Sequence, residues 1–173
     1  MINVYRDVFD KDDVQLIQEY IISQNWQFGH VSASNDDQTN YKKFWIMTLR
    51  NDPVFTQYFF EKVKKIIGKN FTLLDVYFNG QTHGLSGSWH KDSTNDNEYT
   101  FLYYSNTDWK IHWGGETIFE IDNVIHHFLP IPNTGLLFPG NVWHFANGPS
   151  RDCYDLRTTL AFKLRDETQS STQ

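Results

Sequence analysis

From residue 71 to residue 164 the chain breaks into short β-prone runs divided by turn clusters, and no other feature constrains its fold as tightly. The runs are Phe71 to Phe78, Ser86 to Asp92, Tyr99 to Tyr104, Glu116 to Ile121, Ile125 to Leu129, Gly135 to Phe138, Val142 to Phe145 and Arg157 to Leu164. Between them stand Asn79-Gly80, Asn106-Thr107-Asp108, Gly114-Gly115, Pro132-Asn133-Thr134-Gly135 and Pro139-Gly140-Asn141. Those residue types supply the dihedrals and local hydrogen bonds of tight turns. About eight strands at hairpin spacing predict an antiparallel sandwich or barrel, most simply a distorted jelly roll.

The first third reads differently, as helix. Asp10 is a natural N-cap, Asp12 and Asp13 fall in the first turn, and Val14, Ile17 and Ile21 follow at helical spacing. A second helix opens with Asp52 as cap and Pro53 at the first helical position, where its missing N–H does no harm. Phe55, Phe59, Val63 and Ile66 form its buried stripe, and Gly68 supplies the stop. The expected class is therefore mainly β (α+β), with N-terminal helices packed on one sheet. We read one domain over residues 1–164, with helical support over about 10–68 and a jelly-roll core over about 71–164. The end, residues 165–173, is polar throughout and is expected to be disordered.

Composition bounds the function. A chain of 173 residues buries about 70% of its extended surface on folding, enough for a core without staples. The net charge of −6 disfavours general nucleic-acid binding, which asks for cationic surface. The single cysteine, Cys153, excludes an internal disulfide and a Cys-based zinc finger, and points to a reducing compartment. The first residues carry no basic segment followed by an apolar run, and no apolar stretch approaches the roughly 20 residues that cross a bilayer. The expectation is a cytoplasmic protein with no membrane partner. Aromatic residues, at 17%, are the one unusual figure.

The chemistry gathers in three segments. In Gly87-Ser88-Trp89-His90-Lys91-Asp92-Ser93, residues i and i+2 of a strand share a face, so His90 and Asp92 converge while Lys91 points away. Alone, a His-x-Asp is more simply a half-exposed strand with a local ion pair. It gains weight from Asn141-Val142-Trp143-His144, which follows the Pro139-Gly140 turn, and from Arg157-Thr158-Thr159, which begins 13 residues after His144. Two histidines and one carboxylate make the facial triad that holds non-haem Fe(II) and leaves three positions open. Arg157 and Thr159, again i and i+2, present a guanidinium and a hydroxyl together, a pair suited to a carboxylate.

On these motifs the chain resembles the Fe(II)/2-oxoglutarate-dependent dioxygenases, specifically their prolyl-4-hydroxylase-like branch. Tyr77-Phe78-Asn79-Gly80 resembles the tyrosine, turn and glycine found upstream of the family's triad. The run from Thr100 to Trp109 is similar to its strand ending in a Tyr-Leu-Asn-type turn, with Ser105 where leucine is usual. Gly114-Gly115-Glu116-Thr117-Ile118-Phe119 is similar to its Gly-Gly-Glu strand, and Gly135-Leu136-Leu137-Phe138-Pro139 to the strand before the last histidine. The match covers residues 71–164.

The resemblance implies a double-stranded β-helix with iron held by His90, Asp92 and His144. It implies that Arg157 pairs with the distal carboxylate of 2-oxoglutarate, helped by Thr159 and by Tyr104 on the facing strand. Thr100, Leu102 and Tyr104 share a face by period two and should line that pocket, with Tyr77 toward the metal end. The implied cofactors are Fe(II), 2-oxoglutarate and O2, with ascorbate as an accessory. The implied reaction hydroxylates a C–H bond, a prolyl residue in a peptide or protein first, a free amino acid or small metabolite as the alternative. Related halogenases lack the carboxylate ligand, so Asp92 argues for hydroxylation. Thr159 stands where many relatives have serine, and Lys163 where several animal relatives carry an aromatic residue. A jelly-roll binding module without catalysis remains a reading of another class. Nucleic-acid demethylation is disfavoured by the charge, and a cupin by His-x-Asp in place of His-x-His.

Other candidates carry less. His126 and His127 are strand neighbours facing opposite sides, and His30, His83 and His112 have no partners at ligand spacing. Cys153 lacks surroundings that would activate a thiol. Asp12-Asp13 and Asp36-Asp37 read as surface or helix-start charge. Trp89 and Trp143 each precede a ligand and should face away from the metal into packing, while Trp109 and Trp113 could border a substrate groove or be simply buried.

Overall fold

Period-two alternation along the central strands sends one set of side chains toward the helices and the other toward a second sheet. The computed structural model describes residues 1–23, 25–32 and 42–168. The chain opens with β1 (Asn3–Arg6) and α1 (Lys11–Ile22), then β2 (Gln27–His30) and β3 (Phe44–Thr48). A π-helical segment, Val54–Phe59, runs into α2 (Phe60–Ile67). β4 (Phe71–Gln81), β5 (Glu98–Tyr104), β6 (Thr117–Ile121), β7 (Val124–Phe128), β8 (Thr134–Pro139), β9 (Trp143–Ala146) and β10 (Arg157–Asp166) complete it. A seven-stranded sheet has the order β1-β8-β5-β10-β4-β3-β2, and a three-stranded sheet the order β7-β6-β9. Every pairing is antiparallel. The expected jelly roll, with helices against one sheet, is present. Among the described residues no helix is long and apolar enough to cross a membrane.

The helix ends follow from their residues. The Asp10 carboxylate accepts the Asp13 N–H at 3.0 Å, satisfying one of the donors a helix start leaves orphaned. Asp52 does the same for Val54 at 2.9 Å, and Gly68 closes α2 at φ 73°, a left-handed turn that costs glycine little. On the helix side of the large sheet, Val76, Phe78, Phe101, Leu160, Phe162 and Leu164 pack with Ile17, Phe55, Phe59 and Val63. On the other side Leu102, Leu136, Phe138 and Ala161 meet Phe119 of β6. Each of these buried phenylalanines is worth roughly 1.5–3 kcal/mol of transfer free energy, so the rings are the main adhesive of both faces.

The structure corrects several expectations. The N-terminal third is not helix alone, because β1, β2 and β3 extend the large sheet at both edges. Ser86 to Asp92 is no strand; only His90 makes a bridge, to His144. The C-terminal boundary also moves. β10 continues to Asp166, whose fully buried carboxylate accepts from Lys69 at 3.1 Å and from the Thr168 N–H at 2.9 Å, so 165–168 are ordered. Residues 169–173 and Asp36-Asp37 lie outside the described residues. Asp13 is buried rather than solvated, bonded by Lys62 and, at 2.7 Å, by the Tyr58 hydroxyl.

Candidate active site

His90 and His144 meet because their backbones do. Each N–H donates to the other's carbonyl at 3.0 Å, and the ring centroids lie 4.3 Å apart. Around this bridge the register drifts: the Gly87 N–H reaches Ala146 O, while the Asp92 and Ser93 N–H groups both reach Gly140 O. That drift is why residues 86–92 form no ladder, yet His90 and Asp92 still fall on one side. The Nδ1 atoms of His90 and His144 sit 2.9 Å from the carbonyls of Ser88 and Val142. An N–H donated there fixes the tautomer and leaves each Nε2 lone pair free for a metal. Both Nε2 atoms aim at the Asp92 carboxylate, at 3.4 Å from Oδ1 for His90 and 3.5 Å from Oδ2 for His144.

Electrostatics prepare the three groups. Burial against Phe119 and Phe138 pulls the His144 imidazole down to about 4, so it is neutral at physiological pH. Burial alone would raise the Asp92 carboxyl, but Lys163, His144 and His90 together hold it well below the ordinary carboxylate range. Candidate ligand atoms of His90, Asp92 and His144 lie within 4.8 Å of one another. Two imidazoles and one carboxylate, orientated in this way, fit a ferrous ion.

The triad opens into a cavity of about 410 Å³, a size typical of small-ligand sites. At one end lies Arg157, 0% exposed. Its Nε donates to Gly115 O at 2.5 Å, one terminal nitrogen to Gln81 Oε1 at 2.7 Å and the other to Thr117 Oγ1 at 3.0 Å. Gly115 can approach so closely because it has no side chain: at its φ of 74° a Cβ would stand 3.1 Å from Arg157 Cδ and from the Trp109 ring. All three acceptors are neutral, and no carboxylate among the described residues pairs with the guanidinium. A buried cation without an anion is costly, and two N–H groups of Arg157, one on each terminal nitrogen, remain for a ligand. The site fits a dicarboxylate such as 2-oxoglutarate, one end at Arg157 and the other at the triad.

Tyr77, His90, Asp92, Thr100, Leu102, His144, Arg157 and Thr159 all line this cavity. Tyr104 does not. Its ring lies beneath the Arg157 guanidinium, 5.7 Å from Cζ, and its hydroxyl donates to Thr117 Oγ1 at 2.9 Å. Two residues beyond Leu102, it is buried against the arginine and Thr117. Thr100 is spent on Asp92 Oδ2, at 2.5 Å. Sequence reasoning missed Gln81, Thr117 and His30, which also line the cavity; nothing local marks them, since β4, β6 and β2 bring them in through sheet register. Asn79 joins them, with Oδ1 buried and unpartnered among the described residues. Trp89 and Trp143 face away from the triad but into solvent, at 42% and 46% exposed. Trp109 and Trp113 pack edge to face at 5.3 Å and do not line the cavity.

No protein-family model and no curated protein sequence matches the chain. Solved structures do. A prolyl hydroxylase from Trichoplax adhaerens, in complex with a peptide fragment of the hypoxia-inducible factor oxygen degradation domain, superposes with a TM-score of 0.72 at 18% identity, over 99% of this chain and 87% of that one. A 2OG-Fe(II) oxygenase family oxidoreductase from Burkholderia pseudomallei gives 0.71 at 10% identity, over 95% and 84%. The chain has the 2OG-Fe(II) oxygenase fold. A prolyl-4-hydroxylase from Pseudomonas putida gives 0.68 at 14% identity, over 96% and 92%.

Proposed function

We propose that the chain is an Fe(II)- and 2-oxoglutarate-dependent dioxygenase that hydroxylates a C–H bond, with a prolyl residue of a peptide or protein as its substrate. One observation carries the reading: a metal-competent His-Asp-His triad and an unneutralised, buried guanidinium open into the same cavity. His90, Asp92 and His144 would hold the iron, which supplies activation of dioxygen coupled to conversion of 2-oxoglutarate to succinate and carbon dioxide. Arg157 binds the distal carboxylate with its two remaining N–H groups, and Thr159 adds a hydroxyl beside it. Gln81, Thr117 and Gly115 keep the guanidinium plane fixed, so little freedom is lost when the ligand arrives. Leu102, Phe138 and Ala161 form an apolar wall that keeps water from the reacting centre.

The prolyl assignment is supported by prolyl hydroxylases among the similar structures. A second reading, the same chemistry on a small metabolite, is favoured by another: HygX of Streptomyces hygroscopicus, with nickel, 2-oxoglutarate and hygromycin B bound, at a TM-score of 0.67 and 10% identity. The presence of all three ligands and Arg157 speaks against a module without catalysis. The test is succinate release with Fe(II), 2-oxoglutarate and O2, across proline-containing peptides and free amino acids. Turnover stimulated by peptides and lost in His144→Ala supports the prolyl reading. Stimulation by free amino acids alone moves the substrate to the second reading.

A further inference from the structure

Alternate residues of β10, namely Arg157, Thr159, Ala161 and Lys163, line the cavity. Six residues at about 3.3 Å each set the Cα atoms of Arg157 and Lys163 about 20 Å apart along the strand. The two cations therefore stand at opposite ends, and only Arg157 has been given a task. Lys163 is not idle. Its ammonium makes a short ion pair with Asp92 Oδ2 and donates to Thr100 Oγ1 at 3.0 Å. Thr100 in turn donates to that same Asp92 Oδ2 at 2.5 Å. Sheet register builds the triangle, because Lys163 lies directly opposite Thr100 in the pairing of β10 with β5. Immediately beyond Lys163 the pairing with β4 slips by one residue at Leu74, an irregularity of the kind that re-aims side chains beside active sites.

Both donors fall on one oxygen. Asp92 Oδ1 receives neither and lies 3.4 Å from His90 Nε2, while Oδ2 carries both donors besides lying 3.5 Å from His144 Nε2. That asymmetry bears on coordination number. A carboxylate bound through both oxygens would occupy two metal positions and leave two, one too few for a chelating keto acid together with dioxygen. Held through a single oxygen, it leaves three. Both bonds end on an ionised carboxylate, but only Lys163 brings an opposite charge to it, so Lys163 is the stronger of the two restraints.

We propose that Lys163, seconded by Thr100, is a positioning residue that engages Asp92 Oδ2 and restricts the carboxylate to single-oxygen coordination through Oδ1. The inference rests on the reading of the triad as an Fe(II) and 2-oxoglutarate site. Asp92 itself contacts the metal; Lys163 acts through it.

Anaerobic titration of the full chain with Fe(II), then with 2-oxoglutarate, tests this by the visible charge-transfer band of the bound keto acid. Lys163→Met is expected to keep its fold by circular dichroism and to bind Fe(II) and 2-oxoglutarate, but with a shifted band that decays at least 10-fold more slowly than the parent's when O2 is admitted. Lys163→Gln, which keeps an N–H donor, should recover part of that rate, and Thr100→Val should slow the decay less than Lys163→Met. An unchanged band that decays at the parental rate in Lys163→Met would overturn the proposal. So would a defect confined to stimulation by substrate, which would make Lys163 a substrate anchor. A parent chain that bound neither Fe(II) nor 2-oxoglutarate would overturn the site reading, and the clamp with it.

Discussion

At the scale of single residues, the keto-acid end of the cavity depends on Arg157. Its guanidinium is buried, held by three neutral acceptors, and makes no ion pair among the described residues. Removing one partner of a buried charged pair costs about 2–4 kcal/mol, or roughly 30- to 1,000-fold in affinity. Arg157→Ala is therefore expected to weaken 2-oxoglutarate binding within that range while Fe(II) affinity stays near the parent's, as isothermal titration with each would report. Equal loss of both would mean that the arginine serves the metal site. The sequence makes Arg157 visible because its spacing from His144 and from Thr159 is local. It hides Gln81 and Thr117, which are 76 and 40 residues away and become neighbours only when β4, β10 and β6 assemble. Strand parity likewise assigns Tyr104 a face but not its partners, the Arg157 guanidinium and the Thr117 hydroxyl.

At the scale of elements, the helices are tied to each other by charge as well as by rings. Asp13 of α1, 2% exposed, is bonded by Lys62 of α2, which also reaches Asp10 at 3.2 Å. Lys62→Met would leave the buried Asp13 with the Tyr58 hydroxyl as its remaining side-chain donor. A loss of about 2–4 kcal/mol is expected, measured by urea unfolding. The strands from β4 onward were legible because each is flanked by turn residues. β1 to β3 were not. β1 and β2 have four residues each and little buried surface, Gly29 interrupts β2, and the apolar run Phe44–Thr48 is too short for its period to separate helix from strand. Residues 86–92 mark a further limit. Their composition reads as strand, but the drifting register that brings His90 to His144 is a tertiary event.

At the scale of the whole molecule, acid should loosen the fold. Hydrogen bonds from Ser93 and Arg165 hold Glu98 below its ordinary value. At Asp166 burial works the other way, but Thr168 and Lys69 outweigh it and the net shift is again downward. Carboxyls with folded values below their unfolded ones contribute fully above about pH 4 and lose that contribution as pH falls through the folded values. The melting temperature of the metal-free chain is thus expected to fall between pH 5 and pH 3; an unchanged value would contradict the assignment of these pairs. Whole-chain architecture was legible in the alternation of runs and turns, and the cavity was legible only as a set of ligands, since its walls come from both sheets. The central claim is that one cavity takes both a ferrous ion and a keto acid. Its most direct measurement is anaerobic co-binding of Fe(II) and 2-oxoglutarate followed by admission of O2. The account predicts tight binding of both and release of succinate that vanishes in Asp92→Ala; a chain that bound neither partner, or released succinate undiminished without Asp92, would contradict it.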